Sequence, residues 1–157
     1  MRRDINIIMK ISIIVPVYNA EKTIEYCIDS IITQKTKFEI ELILVEDYST
    51  DRSYEICLAL KKKYTEIKLY RTNGKGVSAA RNTGLSHSTG DVVGFCDSDD
   101  IYEKDVFEKV RLFFENKDID IVIGGFYYSK KDSLNTVVQE THSHNRQRNV
   151  EGHLLYN

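Results

Sequence analysis

Apolar and polar positions alternate between two rhythms along this chain. Lys10-Ile11-Ser12-Ile13-Ile14-Val15-Pro16-Val17-Tyr18 is β-branched and nearly all apolar, the pattern of a strand covered on both faces in a parallel sheet. Pro16 has no N–H to give to a ladder, so regular pairing is expected to end there. After Asn19-Ala20, the residues Ile24, Cys27, Ile28, Ile31 and Ile32 recur at helical spacing. The exchange then repeats. Residues 40–45 read as a strand, Tyr54 to Tyr64 as a helix, and 67–70 as a short strand. Residues 77–85 form a helix of small residues behind the loop Asn73-Gly74-Lys75-Gly76, and 92–96 a strand. A helix over 103–116 is expected to bury Val106, Val110, Leu112 and Phe113, and a strand to follow over 119–128. Beyond it, 134–139 reads as a short strand, 141–149 as a polar loop, and 151–156 as the start of a helix.

Strand–helix alternation predicts an α/β fold with a mostly parallel sheet, helices on both faces and right-handed connections. Parallel strands end on one edge, and that edge is where open α/β sheets bind ligands. Three strand ends and one helix start carry unusual polar groups: Tyr18-Asn19, Glu46-Asp47, Asp97-Ser98-Asp99-Asp100, and Gly74 to Asn82. The acidic turn is the sharpest of them. Asp97 and Asp99 are two apart, so on a continuing strand they would share a face. Crowded carboxylates call for a hard cation, and Mg²⁺ or Mn²⁺ takes one or two of them together with substrate phosphates. The competing reading is a solvated acidic turn that caps the helix beginning near Glu103. The glycine loop at a helix start suits phosphate, although its spacing is neither that of a P-loop nor that of the dinucleotide fingerprint.

Composition narrows the field. At 157 residues the chain is one domain, 41% of it hydrophobic and 29% charged, as in ordinary globular proteins. The net charge of −2 gives no basic surplus for nucleic acid. Cys27, Cys57 and Cys96 are scattered within apolar patterns, which suits neither a disulfide framework nor a zinc site; they are expected to be reduced core residues. No apolar run reaches the length of a membrane span, and no signal-peptide cleavage pattern follows the basic start. A cytoplasmic protein is expected, with peripheral placement at the inner face of the membrane compatible with the pattern.

Four blocks together resemble the family-2 glycosyltransferases, which have the Rossmann-like GT-A fold. They are Val15-Pro16-Val17-Tyr18-Asn19, Glu46-Asp47-Tyr48-Ser49-Thr50-Asp51, Gly76-Val77-Ser78-Ala79-Ala80-Arg81-Asn82-Thr83-Gly84, and Asp97-Ser98-Asp99-Asp100. The resemblance covers about residues 10 to 128. It implies inverting, metal-dependent transfer of a sugar from a nucleotide diphosphate donor, expected to be a UDP-sugar, to a hydroxyl of a glycan, lipid-linked or protein acceptor. It places the nucleotide among Pro16, Val17, Tyr18, Glu46, Asp47, Lys75, Arg81, Asp97 and Ser98. Asp47 would accept from the base's ring N–H, and Arg81 would lie near the diphosphate. Asp97 and Asp99 would hold Mg²⁺ or Mn²⁺, with Asp100 supporting them.

Two departures stand out. Glu46 replaces the usual Asp of the second block, and Tyr48 takes a position that is often Gly, so the turn changes or an aromatic ring rims the pocket. The family's general base lies in the later half of its domain, and no residue here matches it. The chain therefore reads as the donor-binding part of the domain, incomplete at the C-terminus, with 129–157 the weakly structured start of the acceptor part. The alternative is a nucleotide-sugar-binding fragment without transfer activity. A phosphorelay receiver would need a phosphoacceptor Asp at the next strand end, where Tyr70-Arg71-Thr72 stands instead.

Overall fold

The computed structural model describes residues 9–114, 120–128, 137–138 and 150–156, with backbone alone for 125–128, 137–138 and 150–156. Its central element is β1 (Lys10–Val17). Parallel to it run β2 (Glu39–Glu46), β3 (Ile67–Arg71) and β4 (Val92–Phe95), in the order β3-β2-β1-β4. The crossovers are α1 (Ile24–Ile32), α2 (Ser53–Lys63) and α3 (Val77–His87). This is the expected α/β architecture.

Pairing of β1 with β2 continues through Pro16↔Val45 and Val17↔Glu46, so the expected break at Pro16 does not occur. The reason lies in which neighbour each residue faces. Val17 C=O accepts from Asp47 N–H on the β2 side, whereas Ile14 C=O accepts from Cys96 N–H on the β4 side. Pro16 shares the parity of Ile14, so its missing donor points to the β4 side, where the ladder has already ended at Ile14↔Phe95.

Alternation along the strands divides the core. Ile11, Ile13, Val15 and Val17 of β1 and Leu42 and Leu44 of β2 pack against Ile24, Cys27, Ile28 and Ile31 of α1 and Cys57 and Leu60 of α2. Ile14, Ile43 and Val45 turn to the other face, against Ala80 of α3. Burying each of these aliphatic side chains stabilises the fold by about 1.5–3 kcal/mol. Helix α3 lies so close to the sheet that a Cβ at Gly84 would overlap Ile14, which is why this helix is built from small residues.

Helix α4 (Val106–Phe114) buries Val106 and Phe107, but Leu112 is exposed. At 100° per residue Leu112 lies about 140° away from the mid-line of the stripe through Val106 and Val110, so its expected burial fails on helical phase. A second sheet, in the order β5-β8-β6-β7, joins β5 (Asp100–Tyr102), β6 (Gly124–Tyr128), β7 (Val137–Val138) and β8 (Val150–Tyr156). Two expectations change here. Within the segment read as one strand over 119–128, the described residues 120–123 are not strand; the strand begins at Gly124 and pairs in this second sheet. The helix expected over 151–156 is strand β8, antiparallel to β5 and parallel to β6; Gly152 weakens a helix there, and β5 and β6 supply ladder partners. The polar loop at 141–149 lies outside the described residues.

One charge is buried inside the parallel sheet. Glu41 of β2, 3% exposed, accepts from Ser12 Oγ (2.5 Å), Thr89 N–H (2.8 Å), Thr89 Oγ1 (2.8 Å) and Lys68 Nζ (2.5 Å). Lys10 Nζ stands 3.4 Å away. The carboxylate thus ties β1, β3 and the α3–β4 loop together at the end of the sheet opposite the acidic turn. Burial alone would raise its pKa, but the bonds from Lys68, Ser12 and Thr89 outweigh burial and hold it well below the ordinary value. A depressed folded-state pKa contributes stability above the unfolded value, and this is lost as pH falls through the folded one. Glu41→Gln is expected to cost about 2–3 kcal/mol at neutral pH. In urea titrations at several pH values, the gap from wild type should be constant above about pH 5 and shrink below the ordinary glutamate value of 4.5. A gap that does not vary with pH would contradict this role.

Candidate functional site

The ends of β1, β2 and β4 and the start of α3 surround a cleft of about 560 Å³, within the range of small-molecule sites. β1 contributes Pro16, Val17 and Tyr18; the turn after β2 contributes Asp47 and Tyr48. Lys75, Gly76, Val77 and Ala80 come from the loop and first turns of α3, and Asp97, Ser98 and Asp99 from the turn after β4. Four stretches far apart in sequence therefore meet at one edge. Of the residues that the family resemblance nominates, Pro16, Val17, Tyr18, Asp47, Lys75, Asp97, Ser98 and Asp99 line the cleft. Glu46 and Arg81 stand one step behind it.

Glu46 organises the turn. It is 1% exposed; its Oε1 accepts from Ser49 N–H at 2.5 Å, and its Oε2 lies 3.4 Å from Arg71 Nε. Its side chain is not among those that line the cleft. The residues after it zip two strand ends together. Asn19 N–H donates to Ser49 Oγ (3.1 Å) and Thr50 N–H to Asn19 Oδ1 (2.8 Å). Ala20 N–H donates to Ser53 Oγ (2.7 Å) and Glu21 N–H to Asp51 Oδ2 (3.1 Å). Asp51 Oδ1 also accepts from Ser53 N–H at the start of α2 (2.9 Å).

Asp47 caps no part of α2. Its Oδ2 accepts from Gly76 N–H at 2.7 Å, which ties the β2 end to the loop before α3. Its Oδ1 is buried and has no partner. Gly76 has φ +89°, a left-handed conformation that glycine adopts without penalty.

The acidic turn differs from the expected continuing strand. β4 stops at Phe95, and Asp100 N–H closes a turn onto Asp97 C=O at 3.0 Å. Asp97 and Asp99 still both reach the cleft. The carboxylates do not cap α4, since Asp100 begins β5. Beneath the turn, Cys27 Sγ and Cys96 Sγ lie 3.8 Å apart, each 3.6 Å from Asp97 C=O. All three cysteines are free and buried. Contact with Cys27, then burial, pushes the Cys96 thiol far up, and burial pushes Cys57 up to about 12. Arg81 Nη2 donates to Asp97 Oδ1 at 2.6 Å, while its Nε is buried without a partner. Asp100 is 2% exposed; burial first, then the charges of Asp99 and Asp97, push its carboxyl up to about 7. One uncompensated acceptor, Asp47 Oδ1, and one uncompensated donor, Arg81 Nε, flank the cleft. Leaving such groups unpaired is costly, and a ligand with a donor at one end and anionic oxygens at the other would satisfy them.

A family model for glycosyl transferase family 2 matches residues 12–156. The chain belongs to this family. Glycosyltransferase GlyA of Streptococcus pneumoniae is 44% identical over 118 residues, which is 75% of this chain and 17% of that protein. The minor teichoic acid biosynthesis protein GgaA of Bacillus subtilis is 39% identical over 124 residues, 75% of this chain and 28% of that protein. Among solved structures, S. aureus TarS in complex with UDP superposes with a TM-score of 0.70 and 29% identity, covering 81% of this chain and 38% of that one. TarS has also been solved in complex with UDP-GlcNAc. The GT-A fold inferred from the motifs is therefore the fold of these neighbours. The chain spans less than half the length of each of these proteins.

Sequence motifs alone did not reveal Arg71. It lies against the rings of Tyr54 (4.2 Å) and Tyr48 (5.3 Å) as well as Glu46. Only the β2–β3 register, with Glu46↔Arg71, brings it to the site. Glu46→Ala is expected to remove about 2 kcal/mol of stability, because Ser49 N–H and Arg71 lose a buried acceptor. Chemical denaturation would measure it, and an unchanged midpoint would show that the turn holds without Glu46.

Proposed function

We propose that the chain is the donor-binding half of a glycosyltransferase that transfers a sugar from a UDP-sugar to an acceptor hydroxyl, with inversion. The observation that carries this is that Asp47, whose Oδ1 is buried and unpartnered, lines the same cleft as Asp97 and Asp99. The ring N–H of uracil can donate to Asp47, whereas cytosine presents an acceptor at that edge. A charge-assisted bond of this kind contributes about 1.5–3 kcal/mol. Gly76 N–H occupies the other oxygen of Asp47 and fixes its orientation. Pro16 and Tyr18 would flank base and ribose, and Lys75 and Arg81 would face the diphosphate. The solved complexes of TarS with UDP and UDP-GlcNAc support this choice of donor.

Among the described residues, no three His, Cys, Asp or Glu side chains are grouped to hold a metal by themselves. Two carboxylates on the cleft do fit Mg²⁺ or Mn²⁺, ions that take one or two carboxylates and draw their other ligands from phosphate and water. Asp99 and Asp97 would hold it. When bound, the cation supplies Lewis-acid stabilisation to the departing diphosphate. Arg81 would then balance the charge on Asp97 and keep that carboxylate turned to the cleft. Transfer also needs a base opposite the leaving group to deprotonate the acceptor hydroxyl, a role assigned to none of the residues described above.

The likeness to GgaA, named for minor teichoic acid biosynthesis, supports a cell-surface glycan or polysaccharide as the product. No helix among the described residues is long and apolar enough to cross a membrane. We place the reaction in the cytoplasm, at the inner face of the membrane if the acceptor is lipid-linked.

Calorimetric titration of UDP with and without Mn²⁺, into wild type and Asp99→Asn, tests the assignment. Mn²⁺ should tighten UDP binding by about tenfold or more in wild type and have little effect in the variant. Binding that ignores Mn²⁺ in both proteins would remove Asp99 from the metal, and no binding at all would remove the donor site.

A further inference from the structure

Tyr48 has φ +55°, a left-handed conformation that is costly for a residue with a bulky side chain. The residue is nevertheless 57% exposed and lines the cleft, so burial does not offset the strain. A dedicated support stands beside it. The Arg71 guanidinium lies 5.3 Å from the Tyr48 ring centroid and 4.2 Å from that of Tyr54, forming a Tyr48–Arg71–Tyr54 stack. Buried Glu46 holds Arg71 from below at 3.4 Å. Glu46 of β2, Arg71 of β3 and Tyr54 of α2 thus support one aromatic ring, that of Tyr48, on the cleft that Asp47 also lines.

On the strength of the donor-site assignment above, we propose that Tyr48 is a positioning residue that stacks on the nucleobase, with Arg71 as its backing. The chemistry suits a flat ring. An aromatic face accepts any base, and hydrogen bonding at Asp47 then selects among them. By the same assignment the diphosphate would lie toward Lys75 and the acidic turn, whose Asp97, Ser98 and Asp99 also line the cleft. Tyr48 therefore acts on affinity for the base and not on the transfer step.

Backbone strain makes the test selective. Glycine relieves a positive φ, and asparagine tolerates it, so both Tyr48→Gly and Tyr48→Asn remove the ring without straining the turn. Titrations with UDP and with inorganic pyrophosphate, both in Mn²⁺, should be run on each variant, on Tyr48→Phe and on wild type. The Gly and Asn variants are expected to lose about tenfold in UDP affinity, to bind pyrophosphate as wild type does, and to unfold at an equal or higher temperature. Tyr48→Phe should stay within about twofold of wild type, because the face of the ring remains. Unchanged UDP affinity in the Gly and Asn variants would overturn the stacking role and leave the donor site standing. Equal losses for UDP and pyrophosphate would also overturn it, since the residue would then only shape the turn. A wild-type protein that binds no UDP would overturn the donor site and the stacking role together.

Discussion

The register of the parallel sheet is the constraint from which the site follows. Successive residues of a strand face opposite sides, so a slip of one residue would exchange every inward and outward group. On β2, Glu41, Ile43 and Val45 face α3, and Asp47, the first residue past the strand, continues that parity to meet Gly76 at the start of α3. On β1, Ile14 and Pro16 share that face. The buried Glu41 network at one end of the sheet holds the register that places Asp47 at the other end. In a slipped register Glu41 would enter the apolar layer of α1 and α2, where neither Ser12 nor Thr89 could reach it. A buried charge without partners costs several kcal/mol, so register and cleft are specified together.

Helix α3 provides the space and much of the chemistry. Its small residues let it lie directly over Ile14, and its exposed start presents Lys75, Gly76 and Val77 to the cleft. From one turn further on, Arg81 reaches Asp97 and neutralises part of an acidic turn that would otherwise repel itself. Buried thiols hold the same turn from below through Asp97 C=O. Tyr102, whose hydroxyl donates to Phe95 C=O at 2.9 Å, fixes the strand end just before it. The carboxylates are therefore held on a braced support while the cleft above them stays open.

Much of this was legible from residue patterns, because the signals are local. Continuous apolar strands, helical spacing after Asn19 and the acidic stop after Cys96 each report on their own neighbourhood. The motifs were enough to bring together eight lining residues whose contacts span four segments. Non-local features were harder to read. Nothing near Glu41 marks it as buried, since its partners Ser12, Lys68 and Thr89 lie on other elements. Arg71 reads as an ordinary charged residue at a strand end until the β2–β3 register sets it beside Glu46 and Tyr48. The second sheet escaped for the same reason: β5 has only three residues and exists through pairing with β8, about fifty residues on. Glu46 and Asp47 look alike in the sequence, while the end of the strand buries the first and sets the second on the cleft.

The central claim is that one cleft binds the base at Asp47 and the diphosphate at the acidic turn. A crystal structure of the protein soaked with UDP and Mn²⁺ tests this most directly. The account predicts the uracil ring N–H within hydrogen-bonding distance of Asp47 Oδ1, with Gly76 N–H still on Oδ2, and the diphosphate between Arg81 and a cation on Asp97 and Asp99. Uracil bound elsewhere, or a diphosphate directed away from the acidic turn, would contradict it.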